Sequence, residues 1–99
     1  MSFVTAQPEM LATAAGALQT IGTTWAAGNA SAAAPTIGVL PPAADEVSAL
    51  TAAQFSAQAE LYQTVSTQAT AIHELFVQAL ATSAASYAAT EVANAAAVG

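Results

Sequence analysis

Few residues in this sequence could do chemistry, and each can be weighed by its spacing. His73 is the only histidine and opens the stretch HELFV. An adjacent His and Glu begin the helical H-E-x-x-H zinc pattern, in which two imidazoles one turn apart hold the ion. Val77 stands where the second imidazole should be, so the pattern fails, and a neutral interface histidine with one hydrogen-bond partner is the simpler reading. The adjacent carboxylates Asp45 and Glu46 follow Pro42 and are better explained by the positive end of a helix dipole than by acid–base work. Asn29-Ala30-Ser31 matches a glycosylation sequon but falls within a helical stretch. No G-x-S-x-G elbow, Gly-rich phosphate loop or cysteine nucleophile is present. The expectation is therefore no catalytic residue, no metal site and no cofactor. One pair remains. Tyr87 and Glu91 stand four residues apart in SYAATEVANAAAVG, where a helix would bring them together on one side. Either the ring packs and the carboxylate is simply solvated, or something reads the pair.

The composition narrows the classes of partner. The 99 residues fit one small domain and contain no Lys or Arg against six carboxylates, for a formal charge of −6. Phosphate binding depends on basic side chains, so nucleic acid is excluded as a partner, and anionic membrane surfaces are disfavoured for the same reason. No basic n-region precedes the first apolar stretch, so a Sec signal peptide is not expected. No window of about 20 apolar residues suggests a membrane span. With no cysteine, the redox compartment is open. Hydrophobic residues make up 56 % and charged residues only 6 %, where soluble domains carry about a quarter charged. A surface so bare needs covering.

The elements that must carry these residues follow from the prolines. Pro35, Gly38, Pro41 and Pro42 predict a hinge over 35–43. Ala, Leu, Gln and Glu dominate both flanks and favour helix. The first helix is expected over about 8–34, opened by Pro8 at a first helical position with Glu9 at the positive dipole end. The second is expected over about 44–88, followed by a flexible C-terminal tail. On the first helix Leu11, Leu18, Ile21 and Trp25 share one stripe, with spacings that suit two closely packed helices. Gly16, Gly22 and Gly28 read as individual close-packing points.

On the second helix the apolar arc spans about 200°, twice what one packing partner requires. One half carries Leu50, Leu61, Val65, Ile72 and Phe76, assigned with the first-helix stripe to the hairpin core. The other carries Phe55, Tyr62, Val77 and Leu80, assigned to a partner. Ser56, Glu60 and Gln63 fall on the side opposite, expected to be wet. Each exposed Leu or Phe forgoes roughly 1.5–3 kcal/mol of burial, so a contiguous patch marks an interface. The expected fold is all-α: an antiparallel two-helix hairpin that completes a four-helix bundle with a partner protein.

Pro8-Glu9 within MSFVTAQPEM, the hinge LPPAADEVSAL, an Ala-rich second helix almost without charge and the terminal Tyr87-x-x-x-Glu91 occur in this order over Met1 to Glu91. Together they resemble the PE family of mycobacteria, named for its Pro-Glu pair. The resemblance implies a 1:1 heterodimer with a PPE-family protein in a four-helix bundle. It also implies export of the pair through a type VII (ESX) secretion system, with an export chaperone contacting mainly the PPE subunit. In the family, Y-x-x-x-[DE] acts as the secretion signal, which carries over to Tyr87 and Glu91. The W-x-G turn used with it is expected from the partner, since Trp25 is followed by Ala-Ala-Gly. Many members continue into long domains; this sequence, ending at Gly99, resembles the short ones. The implied destination is the medium, cell surface or envelope after cytoplasmic assembly. An alternative is a self-assembling envelope or pore-forming component involved in small-molecule transport; the lack of aromatic girdles and of a full apolar span weighs against it.

Overall fold

A computed structural model describes residues 4–98. Among them the chain is all-helical: α1 spans Pro8–Ile37 and α2 spans Glu46–Val98.

Both helices begin as their first residues dictate. At α1, Pro8 contributes no N–H to the group of unpaired donors, and the Gln7 carbonyl accepts from the N–H groups of Met10 and Leu11, at 3.0 and 3.3 Å. Asp45 caps α2. One carboxylate oxygen accepts the Ser48 N–H and the other accepts the Ser48 hydroxyl, both at 2.8 Å. These bonds, the backbone one first, hold the Asp45 carboxyl below its ordinary pKa. Asp45 is thus a cap before the helix, while Glu46 is its first residue.

The helix ends differ from the expected ones in informative ways. α1 continues past Pro35 to Ile37. A proline so near the end forfeits one backbone bond but leaves little helix beyond it to disrupt. The hydroxyl of Thr36 on the Ala32 carbonyl and the Gly38 N–H on Ala34 at 2.9 Å hold that turn. α2 does not give way to a tail near residue 88 but stays helical to Val98, because half of residues 89–98 are Ala and none is Gly or Pro. Elsewhere the threonines turn inward on their own helix. Thr13, Thr20, Thr51, Thr64, Thr67, Thr70 and Thr90 each donate a hydroxyl to the carbonyl four residues earlier.

The described chain forms two compact units, each pairing a piece of α1 with a piece of α2. The hinge unit covers Thr23–Ile72. In it Tyr62 and Gln63 bond to Asn29, and Ser56 bonds to the Ile37 carbonyl, so the two pieces run antiparallel. The terminal unit contains the residues up to Gly22 and those from His73 onward. In it His73 meets Leu18, and Glu91 meets Ala6, again antiparallel.

The packing seams are not the ones expected. Within the hinge unit, α2 turns Ala52, Ser56, Ala59, Gln63, Ser66 and Thr70 inward, with Ala52 and Ser66 buried. Within the terminal unit it turns His73, Val77, Leu80 and Ala84 inward, with Ala84 buried, as is Ala15 on α1. Both series alternate steps of four and three, the spacing of closely paired helices. The residues assigned to the hairpin core on α2, namely Leu50, Leu61, Val65, Ile72 and Phe76, are instead exposed, Ile72 at 67 %. On α1, Leu11 and Leu18 are half-buried, whereas Ile21 is exposed and Trp25 lies at the edge of exposure. Small side chains let two backbones approach closely. Leucine and phenylalanine at those positions would hold the helices apart, so the bulk points outward. Ser56 and Gln63, expected to be wet, bond within the seam.

Among the glycines, Gly22 alone meets the expectation of close packing. A Cβ there would come within 2.7 Å of the His73 ring, while at Gly16 and Gly28 it would meet nothing within 4 Å.

Candidate interaction site

The hinge unit presents its large side chains to solvent. Phe55 is 66 % exposed and sits at a shallow apolar depression with Pro35, Thr36, Val39, Gln58 and Ala59. The Tyr62 ring is half exposed, while its hydroxyl donates to Asn29 Oδ1 at 2.8 Å. The Asn29 carbonyl accepts from Gln63 Nε2 at 3.0 Å. Asn29 Nδ2 is buried without a hydrogen-bond partner, which closes the apparent sequon to modification of the folded chain. Leu50, Leu61, Val65 and Ile72 add to this apolar surface. Of the residues expected to face a partner, Phe55 and Tyr62 are exposed, and so are the α2 residues expected in the core.

The terminal unit divides the remaining candidates. Val77 and Leu80, assigned to a partner, are half-buried in the seam, so a substitution there disturbs the unit itself. Leu75 and Phe76 are exposed. His73 does have one hydrogen-bond partner, but inside the chain: Nε2 lies 2.6 Å from the Leu18 carbonyl, as a donor in the tautomer that carries its proton there. The ring fits because Gly22 has no side chain. Among the described residues no group of three His, Asp or Glu could hold a metal ion, and no helix is long and apolar enough to cross a membrane.

The Tyr87–Glu91 pair lies on α2 in the terminal unit. Tyr87 is 51 % exposed. Glu91 is not simply solvated: it is half-buried, and its Oε1 accepts the backbone N–H of Ala6 at 3.0 Å. Counting on from Leu80 and Ala84 by sevens reaches Tyr87 and Glu91, so the motif continues the helix side that packs on α1. Pro8 is half-buried where α1 begins, and Glu9 is exposed. Nothing in the sequence marks Ala6. A backbone donor carries no residue-type signal, and only the seven-residue spacing hinted that Glu91 points toward the start of α1.

Residues 4–94 match the PE family. The chain belongs to the PE family. It is 71 % identical over 97 residues to the PE family protein PE13 of Mycobacterium tuberculosis, covering 98 % of each chain. It is 52 % identical over 94 residues to the PE family protein PE8 of the same species, covering 95 % of this chain but 34 % of that one. The PE-PGRS family protein PE_PGRS33 of M. tuberculosis is 55 % identical over 96 residues, covering 97 % of this chain and 19 % of the relative. The same helical unit thus recurs within much longer proteins and in one of nearly the same length.

Proposed function

We propose that this PE-family chain is a non-enzymatic secreted subunit that pairs 1:1 with a PPE-family protein and carries a type VII secretion signal at Tyr87 and Glu91. Exposed apolar bulk on α2 supports the pairing. Phe55, Leu61, Val65, Ile72 and Phe76 are each more than half exposed on a chain with only six charged residues. Burying each is worth roughly 1.5–3 kcal/mol, a driving force for completing a four-helix bundle with two partner helices. The seams within each unit use other residues and leave this bulk for the partner. In this reading the export chaperone contacts mainly the PPE subunit, the secretion machinery reads the terminal motif, and the pair ends outside the cell or in its envelope.

Co-expression with and without a PPE protein tests the pairing. The expected result is aggregation alone and a soluble 1:1 complex together. Phe55→Asp should abolish the complex, while Glu60→Gln should leave it intact. A monodisperse chain that melts cooperatively alone and ignores every PPE protein offered would sink the proposal. Export is tested by comparing culture filtrate with lysate for Glu91→Ala, which is expected to retain both subunits in the cell.

A further inference from the structure

The contact between Glu91 and Ala6 ties the last acidic side chain of α2 to the segment that leads into α1. The two residues are 85 positions apart in sequence, yet Oε1 accepts the Ala6 N–H at 3.0 Å, partly shielded from water. Ala6 sits just before Gln7, whose carbonyl takes the N–H groups of Met10 and Leu11. Its own N–H goes to Glu91 instead. The start of α1 also carries partial positive charge, which favours a carboxylate there. With no Lys or Arg anywhere in the chain, a backbone donor at a helix start is the kind of group that can hold this carboxylate.

We propose that the Ala6 amide is a positioning group for the Glu91 carboxylate, making the segment before α1 a working half of the recognition element. The inference rests on the reading of Tyr87 and Glu91 as an export signal. A glutamate alone on an Ala-rich helix samples many rotamers, and a receptor would have to select one. Here Oε1 is held, which fixes the direction of Oε2 relative to the Tyr87 ring one turn earlier. The receptor this suits offers an apolar slot for a ring beside a cationic or N–H donor for a carboxylate whose position is already set. The half-buried Pro8 then acts through geometry: its fixed φ directs the incoming chain and so places the Ala6 amide.

The test uses the full chain co-expressed with its PPE partner. Hydrogen exchange on the intact complex reads the bond directly: the Ala6 amide should be protected, and Glu91→Ala should remove that protection. Ala6→Pro deletes the N–H, while Thr5→Pro places a proline in the same segment and keeps it. Ala6→Pro should lower the exported fraction at least tenfold, the low end of what loss of one hydrogen bond to a charged group gives, while the 1:1 complex still forms. Thr5→Pro should export normally. An unprotected Ala6 amide in the intact complex overturns the proposal, as does normal export of Ala6→Pro or equal failure of Thr5→Pro. Export blocked by Glu91→Ala but untouched by Ala6→Pro overturns the positioning alone. Normal export of Glu91→Ala overturns the export reading itself.

Discussion

The hinge unit and the terminal unit solve the same packing problem with different materials. In the hinge unit, Ser56, Gln63 and Asn29 cross between the helices as hydrogen bonds, and Ala52 and Ser66 fill the space between. The hinge is covalent and nearby, so the pairing closes a short loop at little entropic cost. The terminal unit has no such connection. It half-buries larger groups, Leu11, Leu18, Val77 and Leu80, and it adds two long-range polar contacts, His73 to Leu18 and Glu91 to Ala6. Where the chain itself holds two helices together, polar stitching suffices; where it does not, apolar burial must contribute more.

That contrast can be broken. Leu80→Asp puts an unpaired charge into the terminal seam and should cost at least ~2 kcal/mol, seen as a lower melting temperature of the complex with the PPE partner, the species melted for each variant below. Gln78→Asp, on the exposed polar side, should leave the melt nearly intact. Equal effects would mean that the seam is drawn on the wrong side of α2.

The next effect concerns the glycines. Gly22→Val forces a branched side chain against the His73 ring and should destabilise by about 1–3 kcal/mol. Gly16→Ala and Gly28→Ala, where a Cβ meets nothing within 4 Å, should stabilise by roughly 0.5–1 kcal/mol through helix propensity. Thermal melts of the three variants side by side decide this, and three shifts of one sign would refute the distinction.

A smaller effect belongs to the hinge unit. Tyr62→Phe removes the donor to Asn29 Oδ1 and should cost about 0.5–1.5 kcal/mol. Partial exposure of the ring argues for the lower end. A melt unchanged within error would show that the polar stitching there contributes nothing.

The smallest effect is at the α2 cap. The pKa of Asp45 is lowered by the Ser48 N–H and hydroxyl, so the cap favours the folded state when ionised. Its contribution is complete above the unfolded value, near 3.8, and is lost as pH falls through the lower folded value. Asp45→Asn should flatten stability against pH in that acid window and change little at neutrality. An identical acid profile in the variant would remove the cap from the account.

Much of the fold could be read from residue types. A cluster of prolines between two stretches of helix formers leaves few options, and the two long helices follow. What misled was size. Leu50, Leu61, Val65, Ile72 and Phe76 form the heaviest stripe and were assigned to the hairpin core, on the rule that large apolar groups go inside. In the hinge unit the inside is a line of close backbone contact, held mainly by Ala and Ser, and in the terminal unit it takes His73, Val77 and Leu80 rather than the heaviest stripe. The alternation through Ala52, Ser56, Ala59, Gln63 and Ser66 was visible in the sequence but looked polar. For the terminal motif, the spacing of Tyr87 and Glu91 was legible. The tie to Ala6 was not, because it joins a side chain to a main-chain amide at the far end of the sequence.

The inward-turned threonines change what the outside of these helices presents. Thr51, Thr64 and Thr67 are exposed by area, yet each hydroxyl proton is already given to a carbonyl of its own helix. Once the oxygen is drawn back, the γ-methyl becomes the group that a neighbouring surface meets. An incoming protein thus has fewer water-bound hydroxyl protons to strip away than the sequence suggests. Because polar groups left unpaired are the main penalty for drying a surface, such helices can be dehydrated at low free-energy cost. A threonine carpet of this kind can be covered and uncovered again.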